Sequence, residues 1–497
     1  MIFSVMSERQ QQTPAERGEN TYRSILKATS VFGGVQFFHI LVSLVRGKLV
    51  AMFLGPAGMG ISALYVSSTA TVQKFASLGL NLAIVKEAGH SKDDPEALAT
   101  VVAVARRMTL LTGLLGALIC VACARFFSLG SFGDTSHTFA YMALGAMVFF
   151  SIAGNGEMSL LQGVHDVRRL SRATVVGSLG GLFVSVPLYY YYGVRGIVPA
   201  MVVMALLVYL FYFVSARKAM PSGVPLRAWR EHKALVRQLL SMGIVLMSGD
   251  LAGNISVYAL QAYIRVAGDV SDVGLFQGAN SLTIQYSGVV FAALAMDYFP
   301  RLSAAASDNA AMASVVNRQI EIVSCLVAPL ATALIICAPL VVRILLTEEF
   351  AAIVGLLRWM GFALLVQGLM FPLGYVTFAK NNKKVYFWTE VIGTNVMILV
   401  FSVVGYRLWG LVGLGYATVA DKLFWLPACY MINYRLYGCR MERGAFKSMV
   451  LAFAAGVAVF VLSMAGENAV AYVAMCAVWL VIVYVALRRI RYLFSVK

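Results

Sequence analysis

Charged side chains are scarce in this chain: 13% of 497 residues, with 23 acidic against 40 basic. A soluble domain carries about a quarter of its residues charged. With 60% hydrophobic residues and a mean hydropathy of +0.79, an ordinary soluble protein is excluded. Cysteine is sparse too, at seven residues. Cys120 and Cys123 form a CxxC, but inside an apolar stretch without a second pair or a nearby His, so neither a zinc site nor a redox motif is indicated. The chain lacks HExxH, a Gly-rich phosphate loop ending in Lys-Ser/Thr, and a GxSxG elbow, which removes the corresponding enzyme classes and any ATP site. No metal or cofactor is implied, and transport would run on an ion, potential or substrate gradient. No basic domain with interleaved aromatics stands outside the apolar segments, so the net charge of +17 does not point to nucleic acid.

What is present is a succession of membrane-length apolar segments. A lipid-crossing helix needs about 20 apolar residues, and windows of that kind predict an all-α polytopic membrane protein. About fourteen spans are expected, the first starting near Ala28 and the last near Ala469. Residues 1–22 form a polar tail without the features of a cleavable signal, so the first span is expected to be retained. A linker at 217–237, with Pro221, Pro225 and several basic residues, separates six-helix lobes at 23–216 and 238–433. Two further helices and a basic tail occupy 434–497. With both termini in the cytoplasm, thirty of the forty Lys and Arg residues fall on that side. The other ten are Arg46, Lys48, Lys74, Arg125, Arg195, Arg265, Arg343, Arg358, Arg407 and Lys422. The positive-inside rule therefore places both termini in the cytoplasm.

The lobes repeat a theme. Gly58-Met59-Gly60-Ile61 opens the second span and Asp272-Val273-Gly274-Leu275 opens the eighth, with Gly274 lying 214 residues after Gly60. Polar residues fall at helical spacing on one face of the first span (Gln36, His39, Ser43, Arg46) and of the seventh (Asp250, Asn254, Tyr258, Gln261, Arg265). The second span carries Ser67, Thr71, Lys74 and Asn81, and the eighth Gln277, Ser281 and Gln285. Polar stripes cannot face lipid, so these four helices are expected to line an aqueous cavity between the lobes. A polar site at the interface of two repeats is the plan of a secondary transporter.

The cavity chemistry favours an anion. Arg46 and Lys74, assisted by Lys48 and Arg265, are the expected binding cations, because guanidinium and ammonium groups act strongly on phosphate in a low-dielectric site. Pyrophosphate fits this set. Lys48 and Arg265 lie near span ends, where reaching to the interface is the structural alternative. Asp250 and Glu157 are the intramembrane carboxylates expected either to carry a coupling proton or to sit in fixed salt bridges. Glu390, Asp421 and Lys422 are expected to pair near the cytoplasmic interface.

Several segments carry a resemblance. Arg46-Gly47-Lys48-Leu49 and Phe53-Leu54-Gly55-Pro56-Ala57-Gly58-Met59-Gly60 form one of them. Leu161-Gln162-Gly163, Tyr298-Phe299-Pro300-Arg301 and Ala379-Lys380-Asn381-Asn382-Lys383-Lys384 follow in order. Together they resemble the O-antigen-type polysaccharide flippases of the multidrug, oligosaccharidyl-lipid and polysaccharide exporter superfamily. The resemblance implies a two-lobed alternating-access flippase in a bacterial inner membrane. Its cargo would be an undecaprenyl-pyrophosphate-linked oligosaccharide held by cationic lumen residues. Membrane lipid, a polysaccharide polymerase and chain-length machinery are the implied partners. An ion-coupled drug exporter, a peptidoglycan-precursor flippase and a scaffold for glycan synthesis are the competing readings.

Overall fold

The computed structural model describes residues 14–221, 233–466 and 468–495. Most of the polar tail and linker residues 222–232 lie outside the described residues, as do the side chains of Gln36, His39 and Gln285. Among the described residues there is no strand. Among the described residues nine stretches are long and apolar enough to cross a membrane, and three of them, Ile40–Ala76, Val167–Ala219 and Lys383–Tyr437, each contain two helices.

Twelve long helices occur among the described residues, and two of these are broken at a glycine, giving fourteen segments. Pro14–Ala76 divides at Gly55 into α1 (14–54) and α2 (56–76). There follow α3 (Pro95–Ala122), α4 (Thr138–Gly163), α5 (Val167–Tyr192), α6 (Ile197–Ala219), α7 (Lys233–Ala267), α8 (Val270–Ala304), α9 (Asn309–Leu345) and α10 (Val354–Ala379). Thr394–Tyr437 divides at Gly410 into α11 (394–409) and α12 (411–437). The chain closes with α13 (Arg443–Met464) and α14 (Ala469–Ser495). With fourteen alternating segments, both chain ends lie on one face, the terminal face; the Gly55 and Gly410 breaks lie on the opposite, distal face.

The break between α1 and α2 is written in Gly55-Pro56. Gly55 takes φ 62°, which an L side chain rarely adopts, and Pro56 opens the next helix where its missing N–H costs nothing. A short helix, Leu80–His90, continues the line of α2 beyond Gly79 toward the terminal face.

Helices α1 to α6 pack on one another, as do α8 to α12. Between these groups α7 packs against both, meeting α2 and Leu80–His90 on one side and α11 on the other. The groups touch backbone to backbone in two places. At the distal face a Cβ on Gly60 would stand 1.9 Å from the Val270 carbonyl oxygen, and one on Gly274 would stand 1.8 Å from that of Pro56. Gly60 and Gly274 are the equivalent positions of the sequence repeat, so the repeated openings of α2 and α8 meet each other. Toward the terminal face a Cβ on Gly79 would lie 2.0 Å from the Gly243 carbonyl oxygen.

Helices α13 and α14 pack along α9 and α10. Arg489 pairs with Glu321 at 3.4 Å, Trp479 Nε1 donates to the Pro329 carbonyl at 2.9 Å, and Arg358 donates to the Ser463 carbonyl at 3.1 Å. Val470, Val473, Leu480, Val481 and Tyr484 are left exposed, as a lipid-facing hairpin requires.

One assignment from the sequence changes. Arg106, counted with the loop cations, sits inside α3 and grips Glu157 of α4 through two parallel bonds, Nε to Oε1 at 2.8 Å and Nη2 to Oε2 at 3.0 Å. Its guanidinium also lies 5.5 Å from the Phe213 ring centroid on α6, so one side chain ties three helices. Removing one partner of a buried pair strands the other charge. Glu157→Gln should therefore lower the unfolding free energy by about 3 kcal/mol, read as a lower melting temperature in detergent. An Arg106→Met/Glu157→Leu double variant should recover most of the loss; a Glu157→Gln variant as stable as wild type would deny the pair a structural role.

Candidate functional site

The site is set by where the polar stripe of α7 lands. Asp250 lies at the middle of α7, seventeen residues from each end of Lys233–Ala267. Lys74 lies eighteen residues after Pro56 on α2, about 27 Å along the axis at 1.5 Å per residue. The two side chains meet across the boundary between the helix groups, Lys74 Nζ to Asp250 Oδ2 at 2.6 Å. They remain 43% and 63% exposed, so a wet space reaches the middle of the bundle. The residue read as an anion-binding cation and the residue read as a coupling carboxylate are thus one ion pair.

The rest of the stripe serves other contacts. Asn254 Nδ2 donates to the Asp250 backbone carbonyl at 2.7 Å, beside the pair. Tyr258 Oη lies 3.0 Å from Ser131 Oγ in the short distal helix Ala124–Phe132. Gln261 is turned into its own lobe, 1% exposed, and donates to Gln277 Oε1 at 3.0 Å. Arg265 extends over Gly133, where a Cβ would stand 2.9 Å from Nη1, and its charge acts on Asp134.

The four cations separate by depth. Lys74 sits deepest from the distal face, in the last turn of α2. Lys48 and Arg265 both reach across the group boundary at the distal face, Lys48 donating to the Ile344 carbonyl at the end of α9. Arg46 is half-buried, with Nη1 3.0 Å from Met204 Sδ of α6 and its charge felt by Tyr189 of α5. A thioether is a weak acceptor, and among the described residues no carboxylate pairs with Arg46. Its charge is available to a ligand.

Of the expected lining residues, Thr71 donates back to the Ser67 carbonyl at 2.9 Å and Ser281 to that of Gly278 at 3.0 Å, both half-buried on their own helices. Ser43 is half-buried one turn before Arg46. Glu157 is committed to Arg106 and stands apart from the Lys74–Asp250 pair.

A second charged group occupies the lobe of α8 to α12. Asp421 is fully buried and pairs with neighbouring Lys422 at 3.0 Å, whose charge also acts on Glu390. Glu390 sits in a widened helical turn, Phe387–Gly393, that leads into α11. Helix α12 carries Asp421 into the packed face of its lobe.

Which contacts hold the groups together defines the state. Gly60 against Gly274, Lys48 against Ile344, and Tyr258 and Arg265 against residues 131–134 all lie on the distal side. Toward the terminal face the contacts are Gly79 with Gly243 and Gln238 Nε2 donating to Glu87 Oε2 at 2.9 Å, both between α7 and the α2–Leu80–His90 line. The distal side is closed.

The fold has solved relatives. Lipid II flippase MurJ in an inward closed conformation superimposes with a TM-score of 0.68 at 12% identity, over 94% of this chain and 99% of that one. An inward-facing multidrug resistance MATE family transporter of the MOP superfamily superimposes with a TM-score of 0.67 at 16% identity, over 86% and 96%. In sequence, the lipid III flippase of Escherichia coli (strain K12) is 25% identical over 415 residues, 82% of this chain and 97% of that protein. The family model described as polysaccharide biosynthesis protein matches residues 49–355, from the end of α1 to the start of α10. This chain is a member of that polysaccharide biosynthesis protein family.

Proposed function

We propose that this multi-pass membrane protein is a flippase for a lipid-linked oligosaccharide whose head is a polyprenyl pyrophosphate. It would lie in a bacterial inner membrane with the terminal face cytoplasmic and would move its cargo to the distal leaflet for surface polysaccharide assembly. The basic loops of the terminal face support that orientation. Family membership and the likeness to a lipid III flippase over nearly its whole length support the cargo class. A polymerase and chain-length machinery on the distal side are the partners this role calls for. Residues 23–216 and 238–433 are assigned as the moving lobes, with 434–497 as an appended hairpin.

The observation that carries the reading is the sharing of Lys74 between the lobes. With no cargo, Lys74 is neutralised by Asp250 and pins α2 to α7 at mid-depth. A pyrophosphate entering from the terminal side brings more negative charge than one carboxylate, and Arg46, with no carboxylate partner among the described residues, is ready to share it. Cargo therefore competes Lys74 away from Asp250 and unpins the lobes. Asp250 is then a carboxylate without its cation until release of cargo at the distal side lets Lys74 return. The cycle turns on a single switched ion pair.

An exporter of cationic drugs would need the Asp250 charge for its cargo, whereas here that charge is already spent on Lys74. The two readings separate by substitution. Lys74→Ala should abolish surface polysaccharide while the folded protein still reaches the membrane, measured by glycan immunoblot and membrane abundance; normal export would sink the assignment. Asp250→Asn removes the competitor for Lys74. It should tighten binding of a short polyprenyl pyrophosphate about fivefold, equivalent to ~1 kcal/mol for a half-exposed pair, and slow turnover. Weaker binding in that variant would contradict the competition.

A further inference from the structure

The distal closure contains a titratable centre that the cargo mechanism does not use. The short helix Ala124–Phe132 ends at Gly133, and residues 133–137 turn the chain into α4. Ser136 donates to Asp134 Oδ1 through its backbone N–H at 2.9 Å and its hydroxyl at 2.6 Å, and Ser128 Oγ donates to the Asp134 carbonyl at 2.6 Å. At the end of this braced turn His137 Nδ1 lies 2.6 Å from Tyr65 Oη of α2, and its ring stacks on Phe132 with centroids 3.7 Å apart. Two side chains of α7, from the other side of the lobe boundary, land on the same turn: Tyr258 on Ser131 and Arg265 over Gly133. Tyr141 of α4 bonds Ser131 at 2.8 Å and completes the wall.

We infer that His137 is a proton-operated latch on the distal gate, so that acidification of the distal solution, and not cargo alone, opens the lobes on that side. Tyr65 Oη and His137 Nδ1 share a hydrogen bond in which either is the donor, according to the tautomer. An imidazolium has two donors and no acceptor, so protonation fixes Nδ1 as the donor and adds a second cation beside Arg265. The groups facing His137 are Tyr65 from α2, Tyr141 from α4, Asp134 from its own turn, and Arg265 with Tyr258 from α7. Asp134 is the carboxylate among them, and it serves both cations. Parting of the lobes withdraws Arg265 and wets the ring, which relieves the imidazolium.

The direction of the pH effect follows from the closed state. Burial, aided by Arg265, pushes the His137 pKa below its ordinary value of 6.5, while Asp134 partly opposes them. Asp134 is itself held below the usual carboxylate range, chiefly by its Ser136 hydrogen bonds, and stays ionised throughout the window. A group whose pKa is depressed in one state loses that state as protons are added. The closed distal gate is therefore fully stable above about pH 6.5 and weakens as pH falls through and below it. This inference concerns the gate and stands whatever cargo the cavity carries.

Spin labels at Phe139 of α4 and Leu408 of α11, exposed distal positions outside the latch, report the gate in the full-length protein in nanodiscs. Between pH 7.5 and 5.5 the long-distance population of the otherwise wild-type protein should rise by about threefold or more. His137→Gln, which keeps an acceptor for Tyr65 but cannot be charged, should stay closed across the range. Asp134→Asn should move the transition to lower pH. A wild-type distance distribution indifferent to pH, or a His137→Gln variant that still opens on acidification, overturns the proposal. Should His137→Gln fail to fold, an unshifted transition in Asp134→Asn overturns it equally.

Discussion

Two opposite charges on helices that must separate form the constraint around which the rest of this protein is arranged. Lys74 and Asp250 satisfy each other across the boundary between the helix groups, 43% and 63% exposed, and each left alone there would lack its counter-charge. Any movement of one lobe against the other has to supply each with a new partner. In the proposed cycle an anionic head group does this for Lys74, and the anion arrives before the lobes part.

The backbone contacts give this pair its leverage. Gly60 and Gly274 approach so closely that no side chain fits between α2 and α8, and Gly79 and Gly243 do the same for α2 and α7. Bare backbone surfaces can slide or hinge without repacking large side chains, which suits a joint better than an interlocked core would. Around the distal joint the polar contacts are few and specific, Lys48 to Ile344, Tyr258 to Ser131 and Arg265 over Gly133. Arg46 is set back toward α5 and α6, beside Tyr189 and Met204.

Much of this was legible in the sequence. The apolar windows located all fourteen segments, Gly55-Pro56 announced the first reversal, and the repeated openings around Gly60 and Gly274 marked surfaces that meet. The stripe on α7 was real as an angle: its five residues fall within an arc of about 80° at 100° per residue. Periodicity does not say what stands opposite at each level, however. Asp250 faces Lys74, whereas Gln261, on nearly the same meridian, meets Gln277 of its own lobe. Arg106 was counted with the loop cations, yet it lies eleven residues into α3, which begins at Pro95. The Lys74–Asp250 pairing spans 176 residues and left no local signal.

The most direct test of the account is the sidedness of the lipid-linked glycan itself. In inverted vesicles with and without this protein, an impermeant sugar-oxidising reagent measures how much polyprenyl-pyrophosphate glycan remains on the terminal-face leaflet. The account predicts protein-dependent loss from that leaflet, absent with Lys74→Ala. Equal amounts with and without the wild-type protein would contradict it.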